Sequence, residues 1–170
     1  KDSLGVLLSK ASETVRKSEI GKRTREFIKN DQLQPSDKFK PIKCFDVNMN
    51  KFDWNSVKGK KFTIIVGGLW CMTHGMDNSL PKQYFESIKE KYGDSHQLIL
   101  YVYCNDSEEM KEEIKEFGLE DYTVISDFKG RATPFTSIYN CQATPTCIYT
   151  DAEGIIVNIM EGLDPNYLEN

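Results

Sequence analysis

Two runs of β-branched and apolar residues, Phe62-Thr63-Ile64-Ile65-Val66 and Leu98 to Cys104, flank an amphipathic stretch carrying Leu80, Tyr84, Phe85, Ile88 and Tyr92. No other feature of the chain constrains its fold as tightly. Both runs are apolar on successive residues, the pattern of central strands covered by helices on each face. The stretch between them is long enough for a crossover helix. The three segments therefore predict a βαβ unit with parallel strands and a right-handed connection.

Further along, Asp106 and Ser107 are N-cap candidates, Glu108 and Glu109 complement a first helical turn, and Gly118 follows as a stop signal. Val124 to Ser126 suits a minor strand. Thr146 to Thr150, the turn Asp151-Ala152-Glu153-Gly154 and Ile155 to Met160 predict an antiparallel hairpin. Asp164-Pro165 then reads as N-cap and first helical position. Upstream, Lys43 to Val47 and Phe52 to Trp54 around Asn48-Met49-Asn50 suggest a short hairpin at the entry to the domain. The order β-α-β-α-β-β-α predicts an α/β sandwich around a mixed sheet.

Ahead of this pattern, Leu4, Leu7, Leu8, Ala11 and Val15 recur at helical spacing, and Thr24, Phe27 and Ile28 resume it. The reading is helix from Ser3 to Lys29, broken near Gly21. Asn30 to Lys40 is polar and contains Pro35, Ser36 and Asp37, as a connecting loop would. The expected organisation is a helical arm and linker over residues 1–40 and one folded domain over 41–170.

A chain of 170 residues has room for one such core. Apolar residues at 39% and charged residues at 28% match an ordinary globular protein. The formal net charge of -4, with no basic stripe interleaved with aromatics, excludes a nucleic-acid partner. The longest apolar run, Phe62 to Cys71, falls short of the roughly 20 residues of a membrane span, and no targeting segment follows Lys1. The five cysteines, Cys44, Cys71, Cys104, Cys141 and Cys147, contain no CxxC pair. That spacing argues against a zinc ribbon and a dithiol couple within one motif. No cofactor or resident metal is expected, and thiol chemistry must use one cysteine or distant partners.

Trp70-Cys71-Met72-Thr73-His74 stands at the C-terminal end of the first central strand, where a cysteine would meet the N-terminus of the next helix. Free N–H groups and a positive partial charge there stabilise a thiolate. Ala143-Thr144-Pro145-Thr146 later leads into the hairpin. Together these segments resemble the thioredoxin-like superfamily, and within it the TlpA/ResA-like, AhpC/TSA-related thiol-disulfide oxidoreductases, over roughly Pro41 to Asn170. The resemblance implies an α/β/α sandwich in which Pro145 is a cis proline facing a catalytic Cys71. Thr144 and Trp70 would contact substrate, and the partners would be protein thiols or disulfides. Ser18-Glu19-Ile20-Gly21-Lys22, with the helix and loop after it, is similar to the linker before such domains in envelope proteins of Bacteroidetes. That likeness implies an exported, periplasmic protein with a further domain upstream.

The sequence departs from the family at two places. The family's second motif cysteine is replaced by His74, which rules out a disulfide cycle inside the motif. The family's helix proline falls eight residues after the first cysteine, whereas Pro81 falls ten after Cys71. Two local structures fit: a helix from about Met72 kinked at Pro81, or a loop through Asn78 with Pro81 in the first helical turn. His74 is either a neighbour that takes or stabilises charge on Cys71 or a polar loop residue. Cys104 is either a displaced resolving thiol or a core residue. Cys141 and Cys147 lie either side of Pro145; Cys147 suits the core, Cys44 the core or an edge, and His96 a solvated position.

Three functions follow. The first is a thiol-disulfide oxidoreductase working through a mixed disulfide on Cys71 alone. The second is a degenerate thioredoxin-fold scaffold. The third is a soft-metal domain using Cys71, Met72, His74 and Met76 as copper(I) donors. A peroxiredoxin is excluded, because Gly68 stands where that pattern has Thr or Ser.

Overall fold

The computed structural model describes residues 1–67 and 80–163. Its elements, in chain order, are α1 (Asp2–Lys10), α2 (Glu13–Lys17), α3 (Glu19–Lys29), β1 (Lys61–Val66), α4 (Leu80–Tyr92), β2 (His96–Tyr101), α5 (Ser107–Glu116), β3 (Thr123–Ile125), α6 (Pro134–Ile138), β4 (Thr146–Thr150) and β5 (Ile156–Glu161). The strands form one five-stranded mixed sheet in the order β3-β2-β1-β4-β5. β1 runs parallel to β2, with Val66 opposite Tyr101, and antiparallel to β4, with Val66 opposite Thr146. The βαβ unit and the hairpin stand where the sequence pattern puts them.

Alternation along β1 divides the core. Phe62, Ile64 and Val66 join Ile99, Tyr101, Phe135, Tyr139 and Ile148 on one face, while Ile65 joins Phe85, Leu100, Met110, Leu119 and Cys147 on the other. α4 and α5 cover the second face. α6, Trp54 and Phe39 cover the first, with the Phe39 ring stacked 5.4 Å from Tyr139 and edge-on to Phe62 at 5.2 Å. Burial on both faces is the reason apolar residues follow one another along the inner parts of β1 and β2.

Several boundaries differ from the sequence reading. The arm breaks at Ala11-Ser12 and at Ser18 rather than near Gly21. The Ser12 and Ser18 hydroxyls accept from the Val15 and Gly21 N–H groups and so start new helices. Gly21 lies inside α3 and is buried, because α2 crosses it so closely that a Cβ would stand 2.7 Å from the Arg16 carbonyl oxygen. The entry hairpin shrinks to an isolated bridge between Phe45 and Lys51, since Phe45 also bridges Ser126 beyond β3 and Trp54 opens a 3-10 turn. β2 runs from His96 to Tyr101, so Cys104 lies in the loop after the strand rather than ending it.

α6 has no counterpart in the sequence pattern. At five residues it is too short to show a period, although Thr133-Pro134 caps and opens it. Asp106 does cap α5, its carboxylate accepting from Glu108 and Glu109. The expected helix after Asp164-Pro165 lies outside the described residues.

Residues 33–39, read as part of a connecting loop, hydrogen-bond into the fold. Leu33 N–H donates to Ile138, Ser36 N–H to Ile156 and Phe39 N–H to Gly154. The arm itself packs on α6, where the Asn30 carboxamide donates to Ser137 Oγ. At the sheet's outer margin, Lys38 bridges Ile155 and the Ile159 N–H donates to the Asn158 side chain.

Candidate functional site

The C-terminal ends of β1 and β2 and the start of β4 meet at one edge of the sheet. Gly67 continues β1 by donating its N–H to Tyr101 O at 2.9 Å. On its other side lies the Thr144–Pro145 peptide bond, which is cis. Gly67 sits at φ 153°, and a Cβ there would stand 3.1 Å from Thr144 Cβ and 3.4 Å from Pro145 Cα. Only glycine lets the two backbones approach this closely. Thr144 and Pro145 remain half-buried, so they are reachable from solvent. Their loop is fixed by Thr146 Oγ1 donating to Ala143 O and by Gly162 N–H donating to Pro145 O.

Trp70, Cys71 and His74 lie outside the described residues, as do Met72 and Met76 of the copper reading. The choice between the two starts of the active-site helix also falls on residues before Leu80.

Cys104 is fully buried beneath α5. Burial, with smaller contributions from the Glu109, Glu113 and Asp106 carboxylates, pushes its thiol up to about 12 against an opposing hydrogen bond from Ser126. Cys141 is likewise pushed up to about 12 and Cys147 to about 11, in both cases chiefly by burial. Burial and then the Asp127 charge raise Cys44 still further. All four are free, buried thiols, and burial favours their neutral form.

His96 is not the solvated residue expected. It opens β2 half-buried, with Nε2 2.6 Å from the hydroxyl of Thr63. Burial, and then the charge of Lys61, lowers its pKa to about 4.

The structure also gathers a polar cluster that the sequence reading missed. Tyr101 Oη stands 2.5 Å from Asp127 Oδ1 and 2.7 Å from Thr133 Oγ1, and Thr133 Oγ1 lies 3.0 Å from Asp127 Oδ2. The Lys129 ammonium approaches that carboxylate to 3.7 Å. Asp127 follows a minor strand among turn-forming residues, and its burial there leaves no periodic trace.

No protein-family model matches the chain, and no curated protein matches it. Among solved structures, the chain is similar to a thiol peroxidase from Chromobacterium violaceum, at 14% identity and TM-score 0.61 over 82% of this chain and 86% of that one. It is also similar to the thioredoxin domain of a thiol-disulfide oxidoreductase from Bacteroides vulgatus, at 17% identity and TM-score 0.61 over 81% and 96%. A thiol-disulfide oxidoreductase from Bacteroides fragilis matches at 16% identity and TM-score 0.58 over 76% and 92%. The fold is thioredoxin-like.

Proposed function

We propose that this chain is a TlpA/ResA-like thiol-disulfide oxidoreductase domain that acts on protein thiols or disulfides through the single cysteine Cys71. The observation that carries this reading is the contact of Gly67 with Thr144–Pro145. A half-exposed X–Pro step lies against the backbone that continues toward Cys71 four residues on. Four residues of chain span at most about 14 Å, and that tether begins at Gly67. The other four thiols are buried, which supports Cys71 as the nucleophile.

In the proposed reaction the Cys71 thiolate attacks one sulfur of a client disulfide. The client S–S bond breaks as the Cys71–client S–S bond forms, and the displaced client sulfur leaves as a thiolate that takes a proton from water. An external thiolate then attacks the client sulfur of the mixed disulfide, forms a new S–S bond with the client and releases the Cys71 thiolate. His74 stands where a dithiol motif carries its second cysteine, so resolution comes from outside the motif. Its imidazole is assigned to stabilising the Cys71 thiolate, and Trp70 and Thr144 to holding client backbone. Cys104 is assigned to the core, because its thiol is fully buried and pushed up to about 12.

Residues 41–170 make up the proposed redox domain and 1–40 its helical arm and linker, the linker's 33–39 hydrogen-bonding into the fold. Periplasmic placement rests on the resemblance to envelope proteins. Among the described residues no helix is long and apolar enough to cross a membrane.

Alkylation of the native protein at graded pH, read for each cysteine by mass spectrometry, tests the reading. Cys71 should react first, with a pKa below the roughly 8.5 of a free thiol. His74→Ala should slow it, and His74→Cys should gain disulfide-reductase activity. If Cys71 reacts more slowly than Cys104 or Cys141, and His74→Cys stays inactive, the domain is a scaffold.

A further inference from the structure

Beside the end of β2 the surface opens into a cleft of about 340 Å³ whose lining includes Glu19 and Lys22 of α3, Tyr103 and Asn105 of the β2–α5 loop, and Lys129 and Arg131. Three cations thus face one carboxylate in a chain whose formal net charge is -4. Two of the three cations are held by neighbouring groups, and Lys22 stands exposed beside them. The Arg131 guanidinium lies over the Tyr103 ring, 5.9 Å from its centroid. Lys129 is tied at both ends, its N–H donating to Asp127 Oδ1 and its ammonium 3.7 Å from Asp127 Oδ2. Behind that carboxylate stand Tyr101 and Thr133, so the turn that carries the cations is anchored in the core. Among the described residues neither Lys22 nor Arg131 has an ion-pair partner.

We infer that this cleft binds an acidic side chain of a client polypeptide, flanking the segment that lies at Thr144–Pro145. Opposite charge presented in a concave site discriminates between partners more than it adds raw affinity. The cleft adjoins the C-terminal end of β2, at the same sheet edge as Gly67 and Pro145. β2 and β4 are separated only by β1, so their ends lie about 10 Å apart at the usual strand spacing, a span of about three extended residues. A client held at Pro145 therefore reaches the cleft with a residue a few positions from its reacting cysteine. A carboxylate suits it, because planar oxygen pairs match a guanidinium. The identity of the occupant rests on the proposed function; the presence of the site does not.

The test uses the full chain as its Cys71→Ser variant and a sulfur-free probe, the blocked hexapeptide Gly-Ala-Asp-Glu-Ala-Gly, against its Asn/Gln counterpart. Amide chemical shifts of nitrogen-labelled protein are followed by NMR. The acidic peptide should move the Asn105, Gly130 and Arg131 signals and the neutral one should not. Arg131→Gln or Lys22→Gln should weaken binding by about fivefold. No movement at those amides, or equal movement with the neutral peptide, overturns the inference. Inorganic phosphate binding there more tightly than the peptide also overturns it, in favour of a small-anion site. Because the probe cannot exchange thiols, retained binding alongside a thiol-inactive Cys71 would remove the proposed reaction and leave the cleft standing.

Discussion

Thr63 and His96 are joined by a 2.6 Å hydrogen bond across β1 and β2, on a threonine only 3% exposed. The bond ties the N-terminal ends of the parallel pair, remote from the edge that carries Pro145. With the folded pKa of His96 lowered to about 4 and an unfolded value near 6.5, the unfolded chain binds more protons between those limits. Stability should therefore rise with pH through that window and be lost on acidification from about 6.5 toward 4. Denaturant midpoints measured from pH 4 to pH 7 check this. His96→Gln should flatten the slope, and an unchanged slope would assign the acid sensitivity to carboxylates instead.

Gly67 should tolerate no side chain. A methyl group would meet Thr144 Cβ at 3.1 Å on a backbone at φ 153°. Gly67→Ala is expected to cost about 1–3 kcal/mol and to lower the thermal midpoint by several degrees. A variant with the wild-type midpoint would show that the Thr144–Pro145 loop gives way freely, and the packing argument for this edge would fail.

The hydroxyl of Tyr101 should matter to stability out of proportion to its size. It donates toward a carboxylate whose side chain is 2% exposed, and it is itself fully buried. Tyr101→Phe leaves that acceptor one donor short, at a cost of about 1–3 kcal/mol. Asp127→Asn should cost a similar amount. The double variant should fall well short of the sum, because the two groups form one network. Full additivity in urea titrations would mean that the groups act independently.

The parts of the fold legible in the sequence were those with a period. Phe62 to Val66 and the Thr146 to Met160 hairpin were readable because burial on one or both faces writes itself into residue type. His96-Gln97 hid the start of β2, since a histidine satisfied by a buried threonine looks like any polar residue until the register sets them side by side. Gly21 suggests a single break in the arm, whereas the serine caps Ser12 and Ser18 make two. Of the candidate site, Thr144-Pro145 was legible as a motif. The Asp127 cluster was not, because its members come from a strand, a turn and a helix cap brought together only by the fold.

The outer margin of β5 has one more consequence, for life at high concentration. An open strand edge is a template on which like chains add and grow into fibrils. Here Asp37 accepts the Ile156 N–H at one end of that margin, and the Asn158 carboxamide occupies the Ile159 N–H further along. A second copy sliding up to this edge beside the exposed Val157 would find both of these donors already engaged.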